Sequence, residues 1–263
     1  MVLSKSKSSK AGSQGNYRAP ALDRGLDILE LLSNRTQAVS QSRIARELGR
    51  SSSEVFRMLS CLVDRGYVTR SDYGDGYVLT MRLHQLVQNW PLLKHYIESS
   101  LPEMHRLTEQ VGQSCHLGVY NTGRMHVAVQ VASPAPVGVT VKVAVDYSLV
   151  HTASGRVLLA WQSKKIADHW ITASEDSVSK KTKDALYKRL GTIHKRGYEL
   201  SNSDVMRGLT DISCPILDTN ETALAALTMP YLHPLSTRKK IENVILLVRQ
   251  SAKTISKTIR LVD

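Results

Sequence analysis

Ser51, Ser52 and Ser53 run directly into Glu54, and Arg57 follows within a turn. Hydroxyls at the start of a helix suit phosphate oxygens, because the unpaired backbone N–H groups there carry the positive end of the helix dipole. An arginine further along the same face can fork onto the two acceptors of a guanine edge. A second cluster holds Asp146, His151 and Ser154, the residue types of a hydrolase. The G-x-S-x-G turn that would present the serine is absent, and nearness in sequence is not a triad. Ser154, next to Gly155, reads more simply as the N-cap of a helix whose N-terminus favours polar or anionic groups. The nine histidines form no H-x-x-x-H or H-E-x-x-H pair. His116 and His126 are the two that a hairpin could bring together, but hydrogen-bonded or solvated histidines are the commoner outcome. No metal, cofactor or catalytic residue is expected.

The elements that would position the serines and Arg57 follow from spacing. Leu22, Leu26, Leu29 and Leu32 recur at three or four, the mark of a first helix. Ser40 or Ser42 can cap a short second helix over 43–48, and Ser51 or Ser52 a third, with Val55, Leu59 and Leu62 inward. Two short helices crossing steeply need a small residue at the contact, Ala45, and a turn residue tolerant of positive φ, Gly49. With those positions buried, Ser52, Ser53, Glu54 and Arg57 fall on the outer face of the third helix, as in an inserted recognition helix. Gly66 ends that helix, and Asp72-Tyr73-Gly74-Asp75-Gly76 joins two short apolar runs as a hairpin. Arg70 and Tyr73 on this wing either touch the DNA backbone or minor groove or are solvated. Phe56, the only phenylalanine, is expected to pack beneath the wing, with contact to a thymine methyl as the alternative.

Residues 1–18 are rich in Ser, Lys and Gly and are expected to form a disordered basic tail. Residues 19–80 read as a winged helix-turn-helix. The pattern over 81–111 is helical, with breaks expected near Pro91 and Pro102, and 81–98 is taken as a linker helix. Residues 99–263 are expected to form a separate effector-binding and oligomerisation domain. Its strands are expected over 114–120, 125–131, 211–217 and 222–229, with a β-branched stretch over 137–145. Helices are expected over 155–162, 164–171 and 181–195, and Ile241, Ile245, Val248, Ala252, Ile255 and Ile259 make one apolar stripe in a terminal helix. The fold class is therefore α+β.

Bulk properties narrow the partners. The formal net charge of +12 points to a polyanion such as DNA, although the excess is spread along the chain and locates no face. The longest apolar runs, five residues each, fall far short of the roughly 18 needed to span a bilayer, so no membrane partner is expected. Three scattered cysteines without a C-x-x-C pair fit a reducing cytoplasm.

Several stretches together resemble the IclR family of bacterial regulators, from about Ala21 onward. Arg24-Gly25-Leu26-Asp27-Ile28-Leu29, Ile44 to Gly49, Arg57 to Leu62 and Arg65-Gly66-Tyr67 are similar to its DNA-binding domain in order and spacing. Thr152-Ala153-Ser154-Gly155-Arg156-Val157-Leu158-Leu159-Ala160 resembles its T-A-x-G-K-x-L-L-A segment. Arg196-Gly197-Tyr198, and Gly208 with Cys214-Pro215-Ile216-Leu217-Asp218, resemble later family motifs. The resemblance implies a GAF-like α/β effector domain, a homodimer or dimer of dimers, and an approximately palindromic operator. It implies a regulator, expected to repress a catabolic operon under control of a small-molecule effector. An enzyme with a DNA-binding appendage and a ligand-free architectural DNA binder are the alternatives. Arg24, Arg43, Ser52, Ser53, Glu54, Arg57 and Arg70 are the expected DNA contacts. Thr152, Ala153, Ser154, Gly155, Asp211 and Thr228 are the expected effector contacts. Asp211 stands where keto-acid-binding members carry a cysteine, and Thr228 and Pro230 where they carry serines. A compact carboxylate beside Asp211 would be repelled, so a different effector is expected.

Overall fold

The computed structural model describes residues 19–174, 176, 179–203, 207–233 and 240–260; the tail expected over 1–18 lies outside them. Contacts divide the chain into two units, Met1–Pro91 and Leu92–Asp263.

In the first unit, Pro20 opens α1 (Pro20–Ser33), where its missing N–H costs nothing. Ser40 caps α2 (Gln41–Leu48) by accepting from the Arg43 N–H, and Gly49 closes it at φ 61°, a left-handed turn that glycine adopts without strain. Ser51 caps α3 (Ser52–Asp64) in a full capping box with Glu54. Ile28, Leu32, Ile44, Ala45, Val55, Leu59 and Leu62 from the three helices form one core with Val68 and Tyr77. Those last two belong to β1 (Val68–Arg70) and β2 (Tyr77–Leu79), an antiparallel wing, and Val39 bridges to Tyr77 to tie the wing down. The unit is a winged helix-turn-helix. Short α4 (Arg82–Gln88) follows.

The second unit begins with α5 (Pro91–Val111), so the segment 81–98 holds α4 and the first turns of α5. The chain breaks at Pro91 as expected but runs unbroken through Pro102. Pro102 and Glu98 are both exposed, so the turn in which Pro102 omits its hydrogen bond lies on the solvent side of the helix. Six antiparallel strands follow: β3 (Cys115–Asn121), β4 (Arg124–Val131), β5 (Asp146–Ser148), β6 (Glu199–Asn202), β7 (Leu209–Leu217) and β8 (Ala223–Leu232). Their order in the sheet is β5-β4-β3-β8-β7-β6. Against one face pack α5 and α9 (Ile241–Arg260), whose apolar stripe Val244, Val248, Ala252, Ile255 and Ile259 is buried there. The other face carries α6 (Ala153–Ala160), α7 (Lys164–Ala173) and α8 (Lys180–Arg196). The mixture of a sheet with helices on both sides is the expected α+β architecture.

Two expectations need correction. Residues 137–145 form no strand. Pro134 and Pro136 precede them, and among the described residues only Ala144 and Val145 make backbone–backbone bonds to a strand, at Val127; the β-branched side chains serve as a strap instead. The cap of α6 is Thr152, whose hydroxyl accepts from the Gly155 N–H, and Ser154 sits inside the helix.

Gly155 allows α6 to lie against the preceding turn, since a Cβ there would stand 2.1 Å from the Leu149 carbonyl oxygen. Gly155→Ala should therefore lower stability by about 3 kcal/mol, at the upper end of overpacking costs, and lower the melting temperature seen by circular dichroism. An unchanged melting temperature would show that α6 can stand off from Leu149 at no cost.

Candidate functional sites: a reading helix and a cavity beside α6

The buried side of α3 is set by Val55, Leu59 and Leu62, which leaves Ser52, Ser53, Phe56 and Arg57 exposed together. With Gln41 of α2 these four line one shallow hollow. Gln41 Nε2 donates to the Ser52 hydroxyl at 3.0 Å and so fixes the helices' relative placement at this hollow. Phe56 is 50% exposed rather than tucked beneath the wing, because it follows Val55 and so points away from the three-helix core. Among the described residues no acid pairs with Arg57. The result is an open face with a free guanidinium, two hydroxyls at a helix N-terminus and an exposed ring.

Other expected DNA contacts are engaged within the protein. Glu54 accepts from the Ser51 N–H and hydroxyl and lies 3.0 Å from Arg24 Nη1; these bonds, the Ser51 amide first, hold its carboxyl below the usual range. Arg43 donates to Glu47 at 2.8 Å, and Arg35 shares that carboxylate. Arg70 on the wing lies over the Tyr77 ring, 5.7 Å from its centroid.

In the second unit a cavity of about 120 Å3 opens between the sheet and the N-terminal turn of α6. Thr152, Ala153 and Ser154 form one wall, and Asp211, Thr228 and Pro230 of β7 and β8 another. The strap closes it with Val139, Thr140 and Val141, and its position is held by Ser114, whose hydroxyl donates to the Val139 carbonyl. Five of the six expected effector residues line the cavity. Gly155 does not; its part is the close approach to Leu149.

His116 was missed as a cavity residue. It is buried on β3 and shares a hydrogen bond with Ser154 Oγ at 3.2 Å. Ser154 Oγ is 2.8 Å from Thr228 Oγ1, which is 2.7 Å from Ser213 Oγ, so an imidazole and three hydroxyls form one buried chain. Strand register makes this possible: His116 pairs with Thr228, and Thr228 with Ser213, across three adjacent strands. The only sequence hint was a polar residue at each of these strand positions. His126 is not near His116: the register sets His116 opposite Gln130 and His126 opposite Val119. His126 instead contacts Asp146 at 2.6 Å, which removes Asp146 from any triad with Ser154.

A serine bonded to a histidine is half of an acyl-transfer site, but among the described residues no carboxylate bonds to that histidine to orient it. His116 Nδ1 has no hydrogen-bond partner, and burial pushes the imidazole down to about 4, so it stays neutral. Among the described residues the cavity's lining includes no lysine or arginine and one carboxylate, Asp211. Such a site suits a ligand that offers hydrogen-bond donors. Among the described residues no group of three or more His, Cys, Asp or Glu could hold a metal, and no helix is long and apolar enough to cross a membrane.

The buried imidazole makes stability depend on pH. An unfolded histidine takes up its proton near pH 6.5, the folded one near 4, so between those values the unfolded chain binds more protons and folding weakens as pH falls. About 3 kcal/mol is at stake in all, of which about 2 should be lost between pH 7 and pH 5. Urea unfolding at those two pH values should show this loss in the wild type and a smaller one in His116→Gln. Identical losses would show that another group is responsible.

Comparison with known proteins places both units. Residues 21–72 match the IclR helix-turn-helix domain, and residues 93–257 match the model described as bacterial transcriptional regulator IclR C-terminal. The regulator KdgR of Escherichia coli is 23% identical over 223 residues, 82% of this chain and 83% of that protein. The glycerol operon regulatory protein of Streptomyces coelicolor is 23% identical over 210 residues, 79% and 82% of the two chains. The Thermotoga maritima IclR structure superposes with a TM-score of 0.72 at 21% identity, covering 90% of this chain and 98% of that one. An IclR homolog from Microbacterium hydrocarbonoxydans, complexed with 4-hydroxybenzoate, gives 0.73 at 22% identity, covering 92% and 99%.

Proposed function

The chain belongs to the IclR family of bacterial transcriptional regulators, and on that premise we propose that it represses a catabolic operon until a small molecule enters the cavity beside α6. The observation that carries this reading is the exposed face of α3, with Arg57 free of any acid among the described residues. Repression is supported by how that face is built. The capping box and the three-helix core build the face from residues of the first unit itself, so in this reading its formation needs no effector and effector binding is the event that releases the operator. A catabolic target is supported by the relative named for the glycerol operon. The proposed assembly is a homodimer or dimer of dimers on an approximately palindromic operator, because two reading heads at fixed spacing match two half-sites. Residues 19–80 would serve as the reading domain, 81–98 as the linker and 99–263 as the effector-binding part. The cytoplasm is the proposed compartment, in keeping with three free thiols. Arg24, Arg43, Glu54 and Arg70 take the lesser part at the DNA, orienting α3 and the wing through the pairs described above.

The effector is proposed to be a neutral or amine-bearing molecule rich in donors. Asp211, Ser154 and Thr228 supply acceptors, and no described cation in the lining would balance a carboxylate. The enzyme reading has only the Ser154–His116 contact in its favour, and an architectural DNA binder has no need of the cavity.

Arg57→Ala should weaken binding of a duplex selected by the wild type by about 1–3 kcal/mol, read by fluorescence anisotropy at fixed salt, with the melting temperature unchanged. Unchanged affinity would take Arg57 off the reading face. For the cavity, a thermal-shift screen of polyols, amides and amines should find a ligand that releases the duplex from the wild type. Asp211→Ser and Ser154→Val should lose that response while keeping ligand-free DNA binding. A wild-type response in both variants would place the effector elsewhere.

A further inference from the structure

A second groove lies at the far end of the same unit, with charge opposite to that of the first cavity. β6 pairs with β7 only as far as Ser213, so the outer edge of β7 from Cys214 to Leu217 is left without a strand. The end of α8 turns away there at Gly197, and α9 passes beside the gap. Between the three is a space of about 360 Å3. Arg249, Lys253, Lys257 and Arg260 of α9 all line it, over a floor that includes Pro215, Leu217 and Ala252.

Spacing puts these cations on one side of the helix: the first three recur every fourth residue, about 6 Å apart along the axis, and Arg260 completes the row. Among the described residues no carboxylate stands within ion-pair distance of any of them. Arg260 donates Nε to the Leu217 carbonyl at 3.0 Å, and Arg249 lies 5.6 Å from the centroid of the Tyr198 ring. Both contacts fix a guanidinium without neutralising it. Burial pushes the nearby Cys214 thiol up to about 12, while Arg249 and Arg196 act on it in the opposite sense, as a positive field would.

Basic residues in a last helical turn commonly answer the helix dipole, which would account for Lys257 and Arg260. It does not account for Arg249 and Lys253, which stand one to two turns further back, where the dipole effect has faded. Four like charges facing one hollow repel one another unless something anionic sits among them.

We propose that this groove between α9, the free edge of β7 and the end of α8 is a binding site for a small bisphosphate, distinct from the effector cavity. Two phosphates spaced along α9 would each meet two cations, and charge-assisted bonds to oxyanions are the strong ones. Glu221, the one carboxylate in the lining, favours a compact ligand over a polymer. A hydroxyl between the phosphates can donate to it, whereas an unbroken run of backbone phosphates would be repelled. A phosphorylated polyol has both features.

Isothermal titration of the full chain with fructose 1,6-bisphosphate and with pyrophosphate, at constant ionic strength, tests the site. The wild type should bind the sugar bisphosphate saturably, one per chain, and more tightly than sulfate. Lys253→Glu with Lys257→Glu should weaken binding by at least about tenfold, and the milder Lys253→Gln with Lys257→Gln less so. Both lysines are exposed, so the melting temperature should hold in each variant. Arg57→Ala, on the reading helix, should bind the bisphosphate as the wild type does. Absence of saturable binding, or equal binding in the charge-reversed variant, would overturn the proposal. So would loss in Arg57→Ala, which would put the anion on α3. If the bisphosphate fails to bind but the charge reversal weakens non-specific duplex binding, the row is a nucleic-acid contact and the proposal falls.

Discussion

A row of polar side chains runs across five strands of the sheet, and the docking of α6 is what makes it tolerable. Gln130, His116, Thr228, Ser213 and Glu199 occupy successive paired positions on β4, β3, β8, β7 and β6, so all face the same side. Four of the five are buried. An unsatisfied buried polar group costs about 1–3 kcal/mol, so such a row in an apolar layer would undo the sheet's packing. Helix α6 answers it at two points. Ser154 joins His116 and Thr228, and two residues on Arg156 donates to Glu199 at 3.3 Å and to Ser201 at 3.0 Å. Arg189 and Arg196 flank the same Glu199 carboxylate, so the end of α8 is bound into the arrangement. A shift of α6 by one residue would break the Ser154 and Arg156 bonds together, which makes its position sharply defined.

The cavity follows from that docking. At the N-terminal turn of α6 the sheet presents Asp211 and Pro230 without a helix above them, and the strap from Val139 to Val141 covers the gap. Its polarity is therefore decided by the polar row rather than by cations brought in from a loop. The reading head rests on a different principle. Its helices are short, α2 and α3 are each started by a serine, and all three share an apolar core, so the exposed face of α3 is free to carry Ser52, Ser53, Phe56 and Arg57 at no cost to packing. The family to which the chain belongs joins two such parts in one protein.

The reading head was legible in the sequence because its signals are local. Serine caps, apolar spacing of three and four, and a glycine-rich turn each act within a few residues, and they fixed α1 to α3 and the wing. In the second unit α6 to α9 and the strands β3, β4, β7 and β8 were legible from apolar spacing and β-branched runs, whereas the short strands and the way the elements meet were not. Residues 137–145 looked like a strand because Val and Thr suit a pleated surface, yet a strand also needs a partner edge, which no local pattern supplies. Strands β5 and β6 are about as short as the wing strands but lack the glycine-rich turn that flags β1 and β2, and so they went unseen. The polar row could not be read at all: His116, Ser154, Ser213 and Thr228 lie far apart in the chain, and only register brings them together. Thr152 and Ser154 are equally plausible caps by type, and backbone geometry alone decides for Thr152. Phe56 was assigned by residue type to an interior, whereas its place next to Val55 on the helix puts it outside.

The proposed function requires that ligand binding in the cavity and DNA binding by α3 be coupled in one protein. Linkage makes this testable in a single titration, since a ligand that weakens DNA binding must itself bind more weakly, by the same factor, once DNA is bound. The measurement is calorimetric titration of a cavity ligand into the full chain, alone and saturated with its selected duplex. The account predicts an affinity at least about fivefold lower in the presence of the duplex, the low end of measured couplings. Equal affinities in the two titrations would contradict it.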